Sequence, residues 1–507
     1  MSEKIIFWLD SDITNFGIAK FLQEKYTCEL FSIIDITNRT KKFFVNQQLV
    51  KFKKSWYYFD YVLPEKNIDI DYLIKFEKKF GINLWLLALN ERLFYNYNNY
   101  YKFNQNEILS ILEKECKLFE QILQEIKPDF LIIKTTDLHH NHLLYEMCRT
   151  LGVKVMMLES SRFGHRCIIT QERDTIDYVS DLGPSLTKNR TLKDLQNIIF
   201  SKNLSTQLES YKNQFISSKQ KRITSIFNFI FLSKNTNLQS HYTYFGRSKF
   251  KVFLTQFYYA LIEKYRKSFI DKNLKTDLDN SEHFVYFPLH QEPERVLLIA
   301  SPFYTNQFET ICHLAKSLPI NFKLYVKEHP TQSIRGWREL SFYKQVLEIP
   351  NVVFLHPSVP SEDIMKKSSL VVTVGGTSAL EAAFYNKPSI IFKDMFYGQL
   401  SSVTTVSSLE KLPELIKQSL QNQVEVEELD KYVALIEKNS FDFDIINFQI
   451  DYANYFYFGG YYADVKISIE KMNKFLDIHK DKLEFLAEQF IKKINQHKNS
   501  SEDIENQ

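Results

Sequence analysis

Two short signals close two apolar runs between Lys323 and Lys393. Leu324-Tyr325-Val326 ends on Lys327-Glu328-His329-Pro330. Leu370-Val371-Val372-Thr373-Val374 ends on Gly375-Gly376-Thr377-Ser378, with Glu381 three residues beyond. Both runs read as strands, and in an open parallel sheet ligands bind at the carboxyl ends of strands. A helix that starts there turns its N–H groups toward the crevice and favours an anion. These residues fit a phosphate-bearing ligand, the kind that an enzyme of nucleotide sugars handles.

A nucleotide leaving during group transfer develops negative charge, which a metal or preorganised donors must stabilise. His329 sits where such a donor belongs, Pro330 turns the chain behind it, and Lys327 adds charge if it faces the same way. A strand-end histidine bonded to a backbone carbonyl would leave the same sequence. Thr377 and Ser378 open a helix after Gly376, which lets backbone approach a ligand closely. Glu381, one turn in, can accept from ribose hydroxyls. Ser378-Ala379-Leu380-Glu381 also reads as a capping box. Pro288-Leu289-His290-Gln291-Glu292-Pro293-Glu294 crowds polar groups at another strand end, which places His290 and Glu294 on the donor side. A charged surface turn is the plainer alternative. His356-Pro357 follows a further strand and could wall a nucleobase pocket.

Transfer to a hydroxyl needs a general base near the acceptor. In the N-terminal half, Asp137-Leu138-His139-His140-Asn141-His142 follows one strand and Glu159-Ser160-Ser161-Arg162-Phe163-Gly164-His165 follows the next. Glu159, Asp137 and His165 are the candidates by position, with Asp10 at the end of the first strand as a fourth. His139, His140 and His142 invite a metal reading, but they enter a helix on different faces. The expectation is no metal and no cofactor.

The elements that must position these groups alternate in the manner of βαβ units, hence a parallel sheet. Ile5 to Leu9, Glu29 to Ile34, Phe130 to Ile133 and Val153 to Leu158 read as strands in the first 184 residues. Phe16 to Tyr26, Asn106 to Ile126 and His142 to Leu151 read as helices between them. The rhythm resumes at Phe284 to Phe287 and Val296 to Leu298 and runs on to Ser389 to Phe392. The fold class expected is α/β: two doubly wound, Rossmann-like domains facing a cleft. The boundaries are 1–184 for an acceptor domain, 185–280 for a basic, aromatic helical segment, and 281–440 for a nucleotide-sugar domain. Residues 441–507 are expected to be helical, with a frayed polar end from His497.

Composition bounds the alternatives. A chain of 507 residues with 44% hydrophobic and 15% aromatic residues can fill two cores, and a net charge of +3 excludes a general nucleic-acid binder. Five scattered cysteines have no metal or redox spacing, which points to a reducing cytosol without disulfides. No signal peptide is read at the start, and no apolar run reaches the roughly 18 residues of a membrane span. Charge is uneven, however: between Tyr211 and Lys275 thirteen Lys or Arg face only Glu263 and Asp271, with aromatics interleaved. Solvated helices would have this composition; so would a surface for anionic lipid heads or a lipid-linked acceptor. Nothing there resembles a nucleic-acid fold.

Taken together, Phe287 to Glu294, Lys327 to Pro330 and Gly376-Thr377-Ser378-Ala379-Leu380-Glu381-Ala382 resemble the capsule polysaccharide biosynthesis family, which includes bacterial capsule Kdo transferases. They are similar, more distantly, to bacterial sialyl- and polysialyltransferases, which share a His-Pro motif. The resemblance is strong over 284–395 and faint over 129–184. It implies a GT-B fold, metal-independent transfer with inversion, and a nucleotide-sugar donor, CMP-linked sugars included. It matches His329 to the histidine that contacts the donor phosphate, and Thr377 with Ser378 to helix-start hydroxyls beside it. The related sialyltransferases carry an acidic pair followed by glycine near the acceptor; Glu159-Ser160-Ser161 lacks the second acid and the glycine. The resulting expectation is a cytoplasmic glycosyltransferase, peripheral at the inner face of the cell membrane, acting on a growing surface polysaccharide or its lipid-linked acceptor. A sugar-nucleotide epimerase or hydrolase on the same fold, and a non-catalytic polysaccharide- or lipid-binding partner, are the alternatives.

Overall fold

A computed structural model describes residues 2–36, 38–179, 181–183, 186–200, 219–232, 241–279 and 281–505. The N-terminal sheet holds β1 (Glu3–Leu9), β2 (Cys28–Ile34), β3 (Lys54–Tyr57), β4 (Phe130–Ile133), β5 (Lys154–Ser160) and β6 (Arg166–Thr170). They lie in the order β3-β2-β1-β4-β5-β6, all parallel except β6. The second sheet holds β7 (His283–Pro288), β8 (Phe322–Lys327), β9 (Val352–Leu355), β10 (Leu370–Thr373), β11 (Ser389–Ile391) and β12 (Val403–Thr405). Its order is β9-β8-β7-β10-β11-β12, parallel throughout. Both are doubly wound, and each reverses direction beside its first strand, at β1/β4 and at β7/β10. That reversal opens a crevice at the carboxyl ends of the strands. Strands such as β4 and β10 are apolar without alternation because helices cover both faces. Two such domains facing one another are the GT-B arrangement.

The strand expected at Val296 to Leu298 is instead a single helical turn, Val296–Ala300. Leu298 N–H donates to Glu294 O at 3.0 Å, so the chain coils out of the preceding loop and buries Val296, Leu297 and Leu298. A short apolar run does not by itself distinguish a buried strand from a buried turn.

The C-terminal segment returns to the first domain. β13 (Phe441–Asp442) pairs antiparallel with β6. The last helix, Lys480–Glu505, packs on helix Ile13–Lys25. Gly17 permits the approach: a Cβ there would stand 2.6 Å from Leu483 Cδ2. Leu483, Leu486, Phe490 and Ile494 follow helical spacing and are fully buried. The end expected to fray from His497 is therefore helical to Glu505. His497 itself is buried against Tyr178, and Lys493 pairs with Asp177 at 2.8 Å.

In the basic segment the described residues form helix Leu192–Phe200, helix Lys219–Phe227, a continuing turn Asn228–Leu232, a turn at Tyr242–Tyr244, and helix Lys249–Asn273. Lys212 and Lys234 lie outside the described residues. Helix Lys249–Asn273 bridges the domains. At its start Tyr242 is buried in the first domain and Lys251 donates to Tyr100 O. At its end Ile270 and Leu274 enter the core of the second. Gly246, at φ +72, lets the chain pass Tyr100 O, which a Cβ would meet at 2.2 Å.

Candidate functional site

The crevice of the second domain gathers the side chains that follow β7, β8 and β10. His290 Nε2 lies 3.2 Å from Thr373 Oγ1, which also accepts from Gly376 N–H at 3.2 Å. His290 Nδ1 lies 3.4 Å from Glu294. A Cβ at Gly376 would meet Thr373 Oγ1 at 2.9 Å and His290 Cε1 at 3.2 Å, so only glycine lets these loops approach so closely. Helix Thr377–Phe384 starts there, with Gly376 as its N-cap and no side chain capping it. Ser378 is the second helical residue, which excludes the capping box expected over Ser378 to Glu381. The first N–H groups of the helix are left without that partner, beside the Thr377 and Ser378 hydroxyls.

His329 approaches the same crevice. Thr331 N–H donates to His329 Nδ1 at 3.3 Å, and Thr331 Oγ1 lies 2.9 Å from the same nitrogen. The ring therefore carries its proton on Nε2. Burial pushes its pKa down to about 4, against the pull of Glu294 and Glu328. At neutral pH His329 is a neutral Nε2–H donor.

A buried ion pair fixes this histidine. Arg338 donates from Nε to Glu328 Oε2 at 2.9 Å, and from Nη2 to Glu328 Oε1 at 3.2 Å and to His290 O at 2.6 Å. Glu328 in turn accepts from His329 N–H and from the Tyr343 hydroxyl, each at 2.7 Å. Gln307 accepts from His290 N–H at 2.7 Å and donates to His290 O at 3.1 Å. One network thus holds the loops after β7 and β8. Gln307 and Glu292 also line a cavity of about 270 Å3 that Asn90, Glu91 and Tyr97 of the first domain close from the other side.

A second group of cations joins the domains. Arg295 reaches from the second domain to the Thr136 carbonyl and hydroxyl of the first. Its Nη1 is buried and, among the described residues, has no hydrogen-bond partner. Burial lowers its pKa to about 10, and neighbouring Arg173 adds to the effect. Arg173 Nε lies 3.6 Å from Glu159 and 3.7 Å from Asp174. Arg162 also pairs with Asp174, and Lys393 approaches it to 3.8 Å. Glu294 belongs to both groups. Burial opposes its charge, but His290, His329 and Arg173 outweigh burial and hold its pKa below the usual range. Arg295, Arg173, Arg162 and Lys393 thus face Asp174, Glu159 and Glu294, a surplus of one that suits a bound anion.

The remaining candidates are placed differently. Glu159 lies at this cluster and accepts from the Thr135 hydroxyl. Asp137 accepts from Asn141 at 3.1 Å and lies 3.5 Å from Lys134. Burial opposes its charge, but Lys134 and Arg92 hold its pKa down. Asp10, ion-paired with Lys134 at 2.7 Å, is raised by burial to about 6. His165 is engaged with Asp444 of the returning segment at 2.8 Å. Lys327 lies on the Tyr325 face of β8 and donates to Ser361 at 2.7 Å. Burial brings its pKa down to about 8, with Glu381 opposing. Lys327 therefore neighbours Glu381 rather than His329. His356, just after edge strand β9, pairs with Asp271 at 3.2 Å and Ser358 at 2.6 Å, so it does not join the crevice.

The three histidines entering helix His139–Thr150 divide as their spacing implies. His142 meets Thr136 Oγ1 at 3.1 Å, whereas His139 and His140 point into the core. Glu115, His139 and His140 are close enough to hold a metal ion. His139, however, already bridges Glu91 at 2.8 Å and Glu115 at 3.0 Å. Burial opposes its charge, but these carboxylates outweigh burial and raise its pKa to about 10. Unfolded, it titrates near about 6.5. The folded form thus binds more protons between these values, and stability falls as pH rises from about 6.5 toward 10. Urea midpoints across that range should show the decline in the wild type and lose this component in His139→Gln.

With the geometry in place, comparison with known proteins assigns the class. Residues 164–422, just over half of the chain, match the family "Capsule polysaccharide biosynthesis protein". The protein belongs to that family. No curated protein matches the sequence. Among solved structures it is similar to Methanocaldococcus jannaschii UDP-GlcNAc 2-epimerase in complex with UDP-GlcNAc and UDP. That match has 14% identity and a TM-score of 0.25, and covers 86% of this chain and 99% of that one. It is also similar to Thermosulfurimonas dismutans KpsC, a beta Kdo 2,7 transferase, at 14% identity and a TM-score of 0.29, covering 73% of this chain and 97% of that one.

Proposed function

We propose that this protein is a glycosyltransferase of capsule synthesis, moving a sugar from a nucleotide sugar to a growing polysaccharide or its lipid-linked acceptor. The observation that carries this reading is the convergence of a neutral His329 Nε2–H donor and the uncapped start of helix Thr377–Phe384 in one crevice. Donors arranged in advance stabilise a leaving phosphate without reorganising during the reaction. The acceptor hydroxyl attacks the anomeric carbon, the bond to the phosphate breaks, and the nucleotide leaves with the electron pair. Attack from the face opposite the nucleotide inverts the centre. Glu159, beside the cleft cations, takes the proton. Asp137 is the next base to test. Arg295 and Arg173 steady substrate anions across the cleft. The donor phosphate, a CMP-linked sugar included, needs no metal in this scheme, so a chelator should leave the rate unchanged.

The test is release of free nucleotide from a panel of nucleotide sugars, with and without a capsular oligosaccharide. Release that rises at least about tenfold with acceptor, together with a lengthened oligosaccharide, is expected. Equal release without acceptor would mark a hydrolase, and a new nucleotide sugar without release would mark an epimerase. Neither reaction with any donor would favour a non-catalytic binding partner.

A further inference from the structure

The bridging helix carries a surface that the cleft does not use. Phe250, Phe253, Phe257, Leu261 and Tyr265 are all exposed, at 73%, 58%, 59%, 54% and 65%. Successive helical residues turn by about 100°, which gathers these five within an arc of about 120°. The buried residues of the helix, Arg266 and Ile270, lie on the opposite side. The stripe therefore points away from both domains. Lysines accompany it: Lys251 and Lys267 are exposed on either flank and Lys264 lies within it. A second apolar surface adjoins. Ile223, Phe227 and Phe231 are exposed on the preceding helix and turn, and Lys249 Nζ donates to Ile230 O, which ties the two together. Among the described residues no helix is long and apolar enough to cross a membrane.

We propose that this double surface docks the protein onto an anionic lipid bilayer. Large aromatic and aliphatic side chains flanked by lysine match the acyl and headgroup layers of such a surface, where apolar burial and attraction to anionic lipid add. Lysine stems can lie along the apolar layer while their ammonium groups reach the phosphates. Lys251 bonds Tyr100 O and Lys267 pairs with Asp271, but Lys264, within the stripe, has no partner among the described residues; a charge-free partner would leave it without a role, and a second copy of the chain would bring its own lysine against it. Because the docking helix is anchored at its start in one domain and at its end in the other, the bilayer contact holds the pair as a unit. That this brings the cleft to a lipid-linked acceptor rests on the glycosyltransferase reading; the docking itself does not.

Co-sedimentation of the full chain with vesicles tests it, using phosphatidylcholine alone and phosphatidylcholine mixed with phosphatidylglycerol. The chain should sediment with the anionic vesicles and not with the neutral ones. Phe253→Ser with Phe257→Ser should lower partitioning by about tenfold or more. Lys264→Gln with Lys267→Gln should do likewise. All four changes are at exposed positions, so the melting temperature and nucleotide binding should stay at wild-type values. Unchanged partitioning in the phenylalanine variant, or no wild-type preference for anionic vesicles, would overturn the inference. So would a vesicle-free dimer that the phenylalanine variant makes monomeric, which would assign the stripe to a second copy. Vesicle binding without any nucleotide binding would leave the docking standing and remove the glycosyltransferase reading.

Discussion

Replacing His329 by alanine is expected to lower turnover by about 100-fold or more, the loss usual for one preorganised donor to a developing negative charge. The ring is held in place: Thr331 occupies Nδ1, Glu328 holds the backbone N–H, and among the contacts described Nε2–H has no partner. The same geometry predicts a pH profile. kcat/KM reports groups of the free enzyme, and His329 in the free enzyme titrates near about 4. Its protonation should thus leave no limb near about 6.5, the ordinary histidine value. His329→Gln, which keeps an N–H donor, should recover part of the rate. Its thermal stability and that of His329→Ala should stay near wild type, since the ring bonds only to Thr331 among the contacts described. Near-normal turnover in His329→Ala would remove the histidine from the mechanism.

Arg338→Ala is expected to destabilise the second domain by about 3–5 kcal/mol, measured by urea unfolding. Glu328 is fully buried, and its carboxylate is balanced by Arg338. Removing the arginine leaves a charge in the core and takes from His290 O one of its two donors. The Tyr343 hydroxyl and the His329 N–H remain as neutral donors, too weak to replace a guanidinium. A paired change, Glu328→Leu with Arg338→Met, should restore much of the stability, because apolar groups of similar volume often replace a buried pair without loss. Activity should stay low in that double variant, since the His329 N–H would have lost its acceptor and His290 O one of its two donors. Recovery of both would separate the ion pair from the site.

The strands were legible where apolar runs are long and end in punctuation, as at Leu370 to Val374 before Gly375-Gly376. Val296 to Leu298 was not, because its conformation is set by the loop before it. The crevice was legible in part for the same reason: Gly376, His290 and His329 sit directly after strands, so topology alone brings them together. His356 also follows a strand, but β9 is the sheet edge. Arg338 and Lys393 carry no local sign, since a lone cation reads as surface until its partner is known. Arg295, directly after Glu294, and Arg162, within the run that follows β5, carry no mark of their part in the cation group, because sequence spacing does not show which side chains meet across the cleft. The return of β13 and the last helix to the first domain is a long-range contact with no mark in local pattern beyond the spacing of Leu483, Leu486, Phe490 and Ile494.

The most direct test of the account is calorimetric titration of CMP, CDP, UDP and GDP into the wild type and into His329→Ala. The account predicts that one nucleotide binds the wild type and that the variant binds it about tenfold or more weakly, the loss of a hydrogen bond to a charged group. Equal binding by both proteins, or no binding of any nucleotide, would contradict the claim that the crevice beside His329 and Thr377 holds the donor phosphate.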